Sequence, residues 1–80
     1  MIIYEFRKNY FEKVIIQFKE YKGKLVIDIR AHYKVSETVN EWKPSKKGIC
    51  MSVYHLGELL KGLQLAHEKW EKETKKEKWR

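Results

Sequence analysis

Cysteine and proline are almost missing from this 80-residue chain, where Cys50 and Pro44 each stand alone. A lone cysteine excludes an internal disulfide framework and a cysteine-rich zinc site, and it fits a reducing compartment. The 4 glycines are isolated from one another, so there is no glycine-rich phosphate loop. Asp28 is the only aspartate, and it sits among basic neighbours as an ion-pair partner for Lys24 or Arg30 rather than as a general base. His32, His55 and His67 lack the spacing of a helical metal site and read as surface or boundary residues. Cys50 follows an isoleucine and reads as a small core or boundary residue, not a nucleophile. No enzyme, metal or cofactor is expected. Long apolar runs are also missing: nothing approaches the ~18 residues of a membrane span. The opening segment carries Glu5, Arg7 and Lys8, so it lacks the apolar run of a secretory signal.

What is present is positive charge. Lys and Arg number 18 against 11 Asp and Glu, a formal net charge of +7. The excess is concentrated: between Lys13 and Lys47 nine basic residues face four acidic ones, whereas the tail from Glu68 onward mixes six with four. A basic segment that also carries aromatics is the outline of a polyanion binder. Size adds a second constraint. A chain this short buries only roughly 60 % of the surface it exposes when unfolded, so its core alone is marginal. Without disulfides or metal, self-association is the expected remedy.

The first two thirds alternate as strands do. In residues 2–8, Ile2, Tyr4 and Phe6 share one face, with Glu5 and Arg7 on the other. After a break near Asn9, Val14, Ile16 and Phe18 share a face opposed by Ile15, Gln17, Lys19 and Tyr21. Lys22-Gly23 is a turn signal, and the next strand places Leu25, Ile27 and Ile29 opposite Lys24, Val26, Asp28, Arg30 and His32. The pair predicts a two-sided sheet, one face packed and the other wet and charged. Residues 34–43 read as a longer loop. Pro44, without an amide donor, belongs near a strand start or sheet edge. Ile49-Cys50-Met51 ends the fourth strand, and Ser52 is a helix N-cap candidate. From Val53 the period turns helical, with Leu56, Leu59, Leu60, Leu63, Ala66, His67 and Trp70 near one stripe. There is no internal repeat or linker. Residues 1–80 read as one domain, with a charged helical extension over about 68–80.

The wet face combines Tyr21, Lys22, Lys24 and Arg30, and Lys43, Lys46 and Lys47 cluster before the last strand. Cations neutralise a nucleic-acid backbone while exposed rings offer flat surfaces to unpaired bases. Duplex readout would favour a basic helix, and this helix is leucine-lined and then mixed in charge.

The run from Phe18 through Tyr21-Lys22-Gly23-Lys24 to Asp28-Ile29-Arg30, followed by Lys43-Pro44-Ser45-Lys46-Lys47-Gly48-Ile49, resembles the single-stranded DNA-binding domain of the transcriptional coactivator positive cofactor four. The match spans about Val14 to Leu63. The resemblance implies an α+β fold, a curved four-stranded antiparallel sheet followed by a C-terminal α-helix, assembled as a homodimer. It also implies largely sequence-independent binding of single-stranded DNA in support of transcription, replication or repair. Carried over by position, the stacking aromatic is Tyr21, the backbone lysines are Lys22 and Lys24, and the arginine is Arg30. The later aromatic is Tyr33, the KP lysine is Lys43, and the basic pair is Lys46 and Lys47.

Two departures matter. Tyr33 shares parity with Leu25, Ile27 and Ile29, so stacking there requires a bulge or twist after Arg30. A basic residue of the family's first hairpin falls on either Lys8 or Lys13, because the connection here is longer. Trp42 lies off the pattern and fits an added stacking surface or a cap on the core, packing being the simpler reading. The helix beyond Leu63 outruns the match, and Trp70 and Trp79 there suit a dimer contact or a protein partner. An adaptor that recruits such a partner, or a single-stranded RNA binder, are the alternative functions. The compact size suggests a bacterial or phage cytoplasmic, nucleoid-associated protein, nuclear if the host is eukaryotic.

Overall fold

In the computed structural model, which describes residues 1–75, four strands precede one helix. The strands are β1 (Ile2–Arg7), β2 (Glu12–Tyr21), β3 (Lys24–Lys34) and β4 (Trp42–Ser52), followed by a 3₁₀ turn at Val53–His55 and helix α1 (Leu56–Lys75). They form one antiparallel sheet in the order β1-β2-β3-β4. The α+β fold implied by the resemblance is the fold found.

Local chemistry sets the connections. Asn9 Oδ1 accepts from the amides of Phe11 and Glu12, each at 2.9 Å, and so closes the turn from β1 to β2. Lys22 and Gly23 have φ of 53° and 77°, the two positive values that a two-residue hairpin of the primed type requires. The β2–β3 ladder then runs unbroken from Tyr21↔Lys24 to Glu12↔Tyr33. The expected long loop is shorter than residues 34–43, since β3 reaches Lys34 and β4 opens at Trp42. Pro44 sits third in β4, which is an edge strand, where a missing donor costs least. Ser52 Oγ accepts from the Tyr54 amide at 3.2 Å, so the cap forms on the 3₁₀ turn that leads into α1.

Residues paired across antiparallel strands share a face. The pairing therefore gathers Tyr4, Phe6, Val14, Ile16, Phe18, Leu25, Ile27, Ile29, Ile49 and Met51 on one side. Within the chain this aliphatic side is only partly covered: Ile27 and Ala31 are buried at its centre, whereas Tyr4, Phe6, Leu25 and Ile49 are exposed. The other side holds Ile15, Val26, Asp28 and His32, all buried. The expectation of one dry and one wet face is thus corrected, and curvature is the reason. Trp42 on β4 lies within 5.0 Å of Arg7 on β1 and 4.7 Å of Lys13 on β2, so the polar side closes on itself across the sheet. His32, expected at the surface or boundary, lies in the register row of Lys13 and Pro44 on that concave side and is buried. Cys50, expected in the core or at its boundary, is exposed on the edge strand. The helix gains little cover from its own sheet, for Leu60, Leu63 and Leu65 are each more than half exposed.

Candidate nucleic-acid interface

At the hairpin end, Tyr21 closes β2 with its ring 59 % exposed and faces Lys24 across the turn. Lys22 Nζ lies 5.3 Å from the ring centroid. The positive φ of Lys22 and the short turn place ring and ammonium side by side. An exposed ring flanked by cations suits an unpaired base and its phosphate.

Arg30 lies six residues along β3 from Lys24, roughly 20 Å at the strand repeat. Its Nε donates to Asp28 Oδ1 at 3.1 Å, and one terminal nitrogen lies 3.1 Å from the same oxygen. The other terminal nitrogen donates to the Ser45 carbonyl at 3.0 Å. Asp28 is 2 % exposed, so the charged fork is anchored from below while the Arg30 side chain keeps 20 % of its surface. A guanidinium has five N–H donors, and these contacts leave donors over for a ligand. Of the two partners open to Asp28 in the sequence, Arg30 is the one found. Asp28 Oδ2 and His32 Nε2 are buried without a hydrogen-bond partner among the described residues.

The basic pair is presented by a bulge. Arg30 pairs with Gly48 and His32 with Pro44, so Ser45, Lys46 and Lys47 together oppose Ala31. Ser45 Oγ donates to the Ala31 carbonyl at 2.8 Å and accepts from the Lys47 amide at 3.1 Å, which pins the extra residues. A Cβ on Gly48 would lie 2.6 Å from the Ile29 carbonyl oxygen and 2.7 Å from Arg30 Cα, so only glycine lets β4 approach β3 here. Lys46 and Lys47 are exposed, and Lys47 Nζ lies 3.6 Å from Glu12 Oε2. The hydrogen bond from Asn9, then Lys47 and Lys8, hold the Glu12 carboxyl below its ordinary pKa.

Tyr33 and Lys43 face each other across β3 and β4, both exposed. The bulge lies in β4, and β3 keeps its regular pairing with β2, so Tyr33 retains the parity of Ile27 and Ile29. The sheet therefore brings Tyr21, Lys22, Lys24 and Arg30 onto one side, places Tyr33 and Lys43 on the opposite side, and holds Lys46 and Lys47 on the bulge at the edge. Of the two lysines considered for the first hairpin, Lys8 lies 3.8 Å from Glu12 and Lys13 lies 2.7 Å from Glu5. Trp70 is about half exposed on α1, while Trp79 lies outside the described residues. Ser45 and the Arg7–Lys13–Trp42 grouping were not expected. The only sequence signal for Ser45 was a small hydroxyl residue beside Pro44.

Among the described residues no group of three His, Cys, Asp or Glu side chains could hold a metal ion. Nor is any described helix long and apolar enough to cross a membrane.

The sequence profile of the family described as Transcriptional Coactivator p15 (PC4) matches residues 8–62. Among solved structures, a PC4 homolog from Burkholderia pseudomallei K96243 superposes in a tetragonal crystal form with a TM-score of 0.75 at 22 % identity, covering 84 % of this chain and 96 % of that one. Its orthorhombic form gives 0.74 at 24 % identity, over 84 % and 88 % of the two chains. A bacteriophage T5 homolog of the eukaryotic coactivator PC4, described as implicated in recombination-dependent DNA replication, gives 0.65 at 20 % identity over 100 % of this chain and 97 % of that one. At such identities these likenesses carry the fold. No curated protein matches the chain significantly.

Proposed function

This chain belongs to the transcriptional coactivator p15 (PC4) family, and we propose that it acts as a homodimeric, largely sequence-independent binder of single-stranded DNA. The family is one of non-enzymatic DNA-binding proteins, and the sequence offers no catalytic constellation to set against that. The observation that carries the reading is the common face of Tyr21, Lys22, Lys24 and Arg30, an exposed ring and three cations on one curved sheet. Unpaired bases expose their faces to such a ring; stacked base pairs do not. Lys46 and Lys47 on the bulge add cations at the sheet edge beside Arg30, with Lys47 turned towards Glu12, whereas Tyr33 and Lys43 keep the parity of the opposite side and meet a strand only where it rounds that edge.

Surface that one chain leaves uncovered supports the homodimer. A folded monomer of this mass exposes roughly 5,200 Å². This chain exposes 6910 Å². An excess of roughly 1,700 Å² per chain falls in the range of obligate dimer interfaces. The aliphatic side of the sheet and the leucines of α1 are the apolar surfaces available. The bacterial and phage origins of the structural neighbours favour a role in a bacterial cytoplasm, for a protein encoded by a bacterium or by a phage.

Equilibrium titrations of two variants test the assignment of roles. Tyr21→Ala should weaken binding by about 1–3 kcal/mol with little change in salt dependence. Lys46→Ala should weaken binding alike for all sequences and flatten the log–log salt slope by ~0.7. Unchanged affinity in Tyr21→Ala, or losses confined to one sequence, would contradict the proposal.

A further inference from the structure

At the end of the sheet far from the hairpin, the concave side carries a second aromatic that lies outside the family's motif. Trp42 opens β4, and both the Arg7 guanidinium and the Lys13 ammonium lie within cation–π range of its ring, at 5.0 and 4.7 Å. The indole Nε1 donates to Asn40 Oδ1 at 3.3 Å, which fixes the rotation of the ring. Arg7, Lys13, Asn40, Trp42, Glu5 and Phe6 line an open hollow of about 280 Å³. Glu5 lies 2.7 Å from Lys13, and one Arg7 nitrogen donates to the Tyr10 carbonyl at 3.3 Å.

Register ties this hollow to the surface already described. Lys13 and Tyr21 lie on the same face of β2, eight residues apart, roughly 27 Å at the strand repeat. Arg30 lies between them on the adjacent strand. One continuous side of the sheet thus has an exposed ring with cations at one end, a clamped guanidinium in the middle, and a second ring with cations at the other.

We infer that the Trp42 hollow is a second base-stacking subsite, at which the strand that passes Tyr21 and Arg30 places a further nucleotide. This inference rests on the single-strand reading above. In the free protein both cations lie over the ring. A nucleotide supplies both a base for the ring and a phosphate for Arg7 and Lys13, so the exchange leaves every group partnered. Glu5 stays paired with Lys13 and keeps the hollow from accumulating excess positive charge.

The test is a length series of oligothymidines, from roughly 4 to roughly 16 nucleotides, titrated by fluorescence anisotropy. The proteins compared are wild type, Trp42→Leu, Trp42→Phe and Arg7→Gln. Wild type and Trp42→Leu should coincide on the shortest oligomers and diverge once the strand reaches the hollow, by about tenfold on the longest. Trp42→Phe, which keeps a ring, should recover most of that difference. Arg7→Gln, a change at an exposed side chain, should show the same length-dependent loss and a shallower salt slope on long oligomers only. Parallel curves, meaning an equal loss at every length, would show that Trp42 acts through the fold and would overturn the inference. So would coincidence at every length. If wild type binds no oligomer of any length, the single-strand reading itself fails, a result distinct from either of these.

Discussion

Gly48 shows how one residue can decide where a binding surface lies. Its missing side chain lets β4 press against the backbone of Ile29 and Arg30, and a Cβ there would meet atoms that cannot swing away. Gly48→Ala should therefore lower stability by about 1–3 kcal/mol in urea unfolding, and it should displace Lys46 and Lys47 with the bulge. A variant with unchanged midpoint would mean that the strands part at little cost. His32 supplies a second prediction. Burial holds its pKa below the ordinary 6.5; the Asp28 carboxylate pulls the other way, and the positive charges of Lys13, Arg30 and Lys19 add to the lowering. The folded protein thus keeps His32 neutral while the unfolded chain takes up a proton below about pH 6.5. Unfolding is favoured as the pH falls through that value towards the lower folded pKa, so the urea midpoint should drop between pH 7 and pH 5. His32→Leu should flatten that slope, and an equal slope in the variant would assign it to other groups. At this scale the sequence reveals which side chains of β2 and β3 share a face, because their alternation is unbroken; in β1 a register shift between Ile2 and Tyr4 pairs Ile2 with Gln17 and breaks the expected common face of Ile2, Tyr4 and Phe6. Burial was not legible: Asp28 and His32 alternate as wet residues do, and only the curvature of the sheet encloses them.

Elements differ in how much of themselves the sequence discloses. The Lys22-Gly23 hairpin, the strand breaks near Asn9, and the change of period after Ser52 all have local causes, and all are found. The bulge at Ser45–Lys47 was not legible, because its cause is the mismatch between two strands rather than anything within one. Helix α1 poses the opposite problem. Its leucine stripe is plain in the sequence, yet its own sheet leaves Leu60, Leu63 and Leu65 largely uncovered. In the proposed dimer the partner chain covers them. Leu63→Glu should then shift the mass in sedimentation equilibrium from two chains towards one and lower the melting temperature. An unchanged mass would place the interface elsewhere.

The whole molecule is more open than a chain of its length should be. Its radius of gyration is 15.4 Å, against roughly 12 Å for a compact domain of this size. Among the described residues four apolar side chains, Ile15, Val26, Ile27 and Ala31, make up the buried hydrophobic core. So small a core fits a fold that is completed by association. The same openness leaves a curved sheet whose concave side bears rings and cations, and the proposed function has a flexible single strand, rather than a stiff duplex, follow that curve. Competition between a mixed-sequence single strand and the duplex of the same length, at one fixed salt concentration, tests this most directly. The single strand should bind more tightly; equal or tighter binding of the duplex would contradict the account.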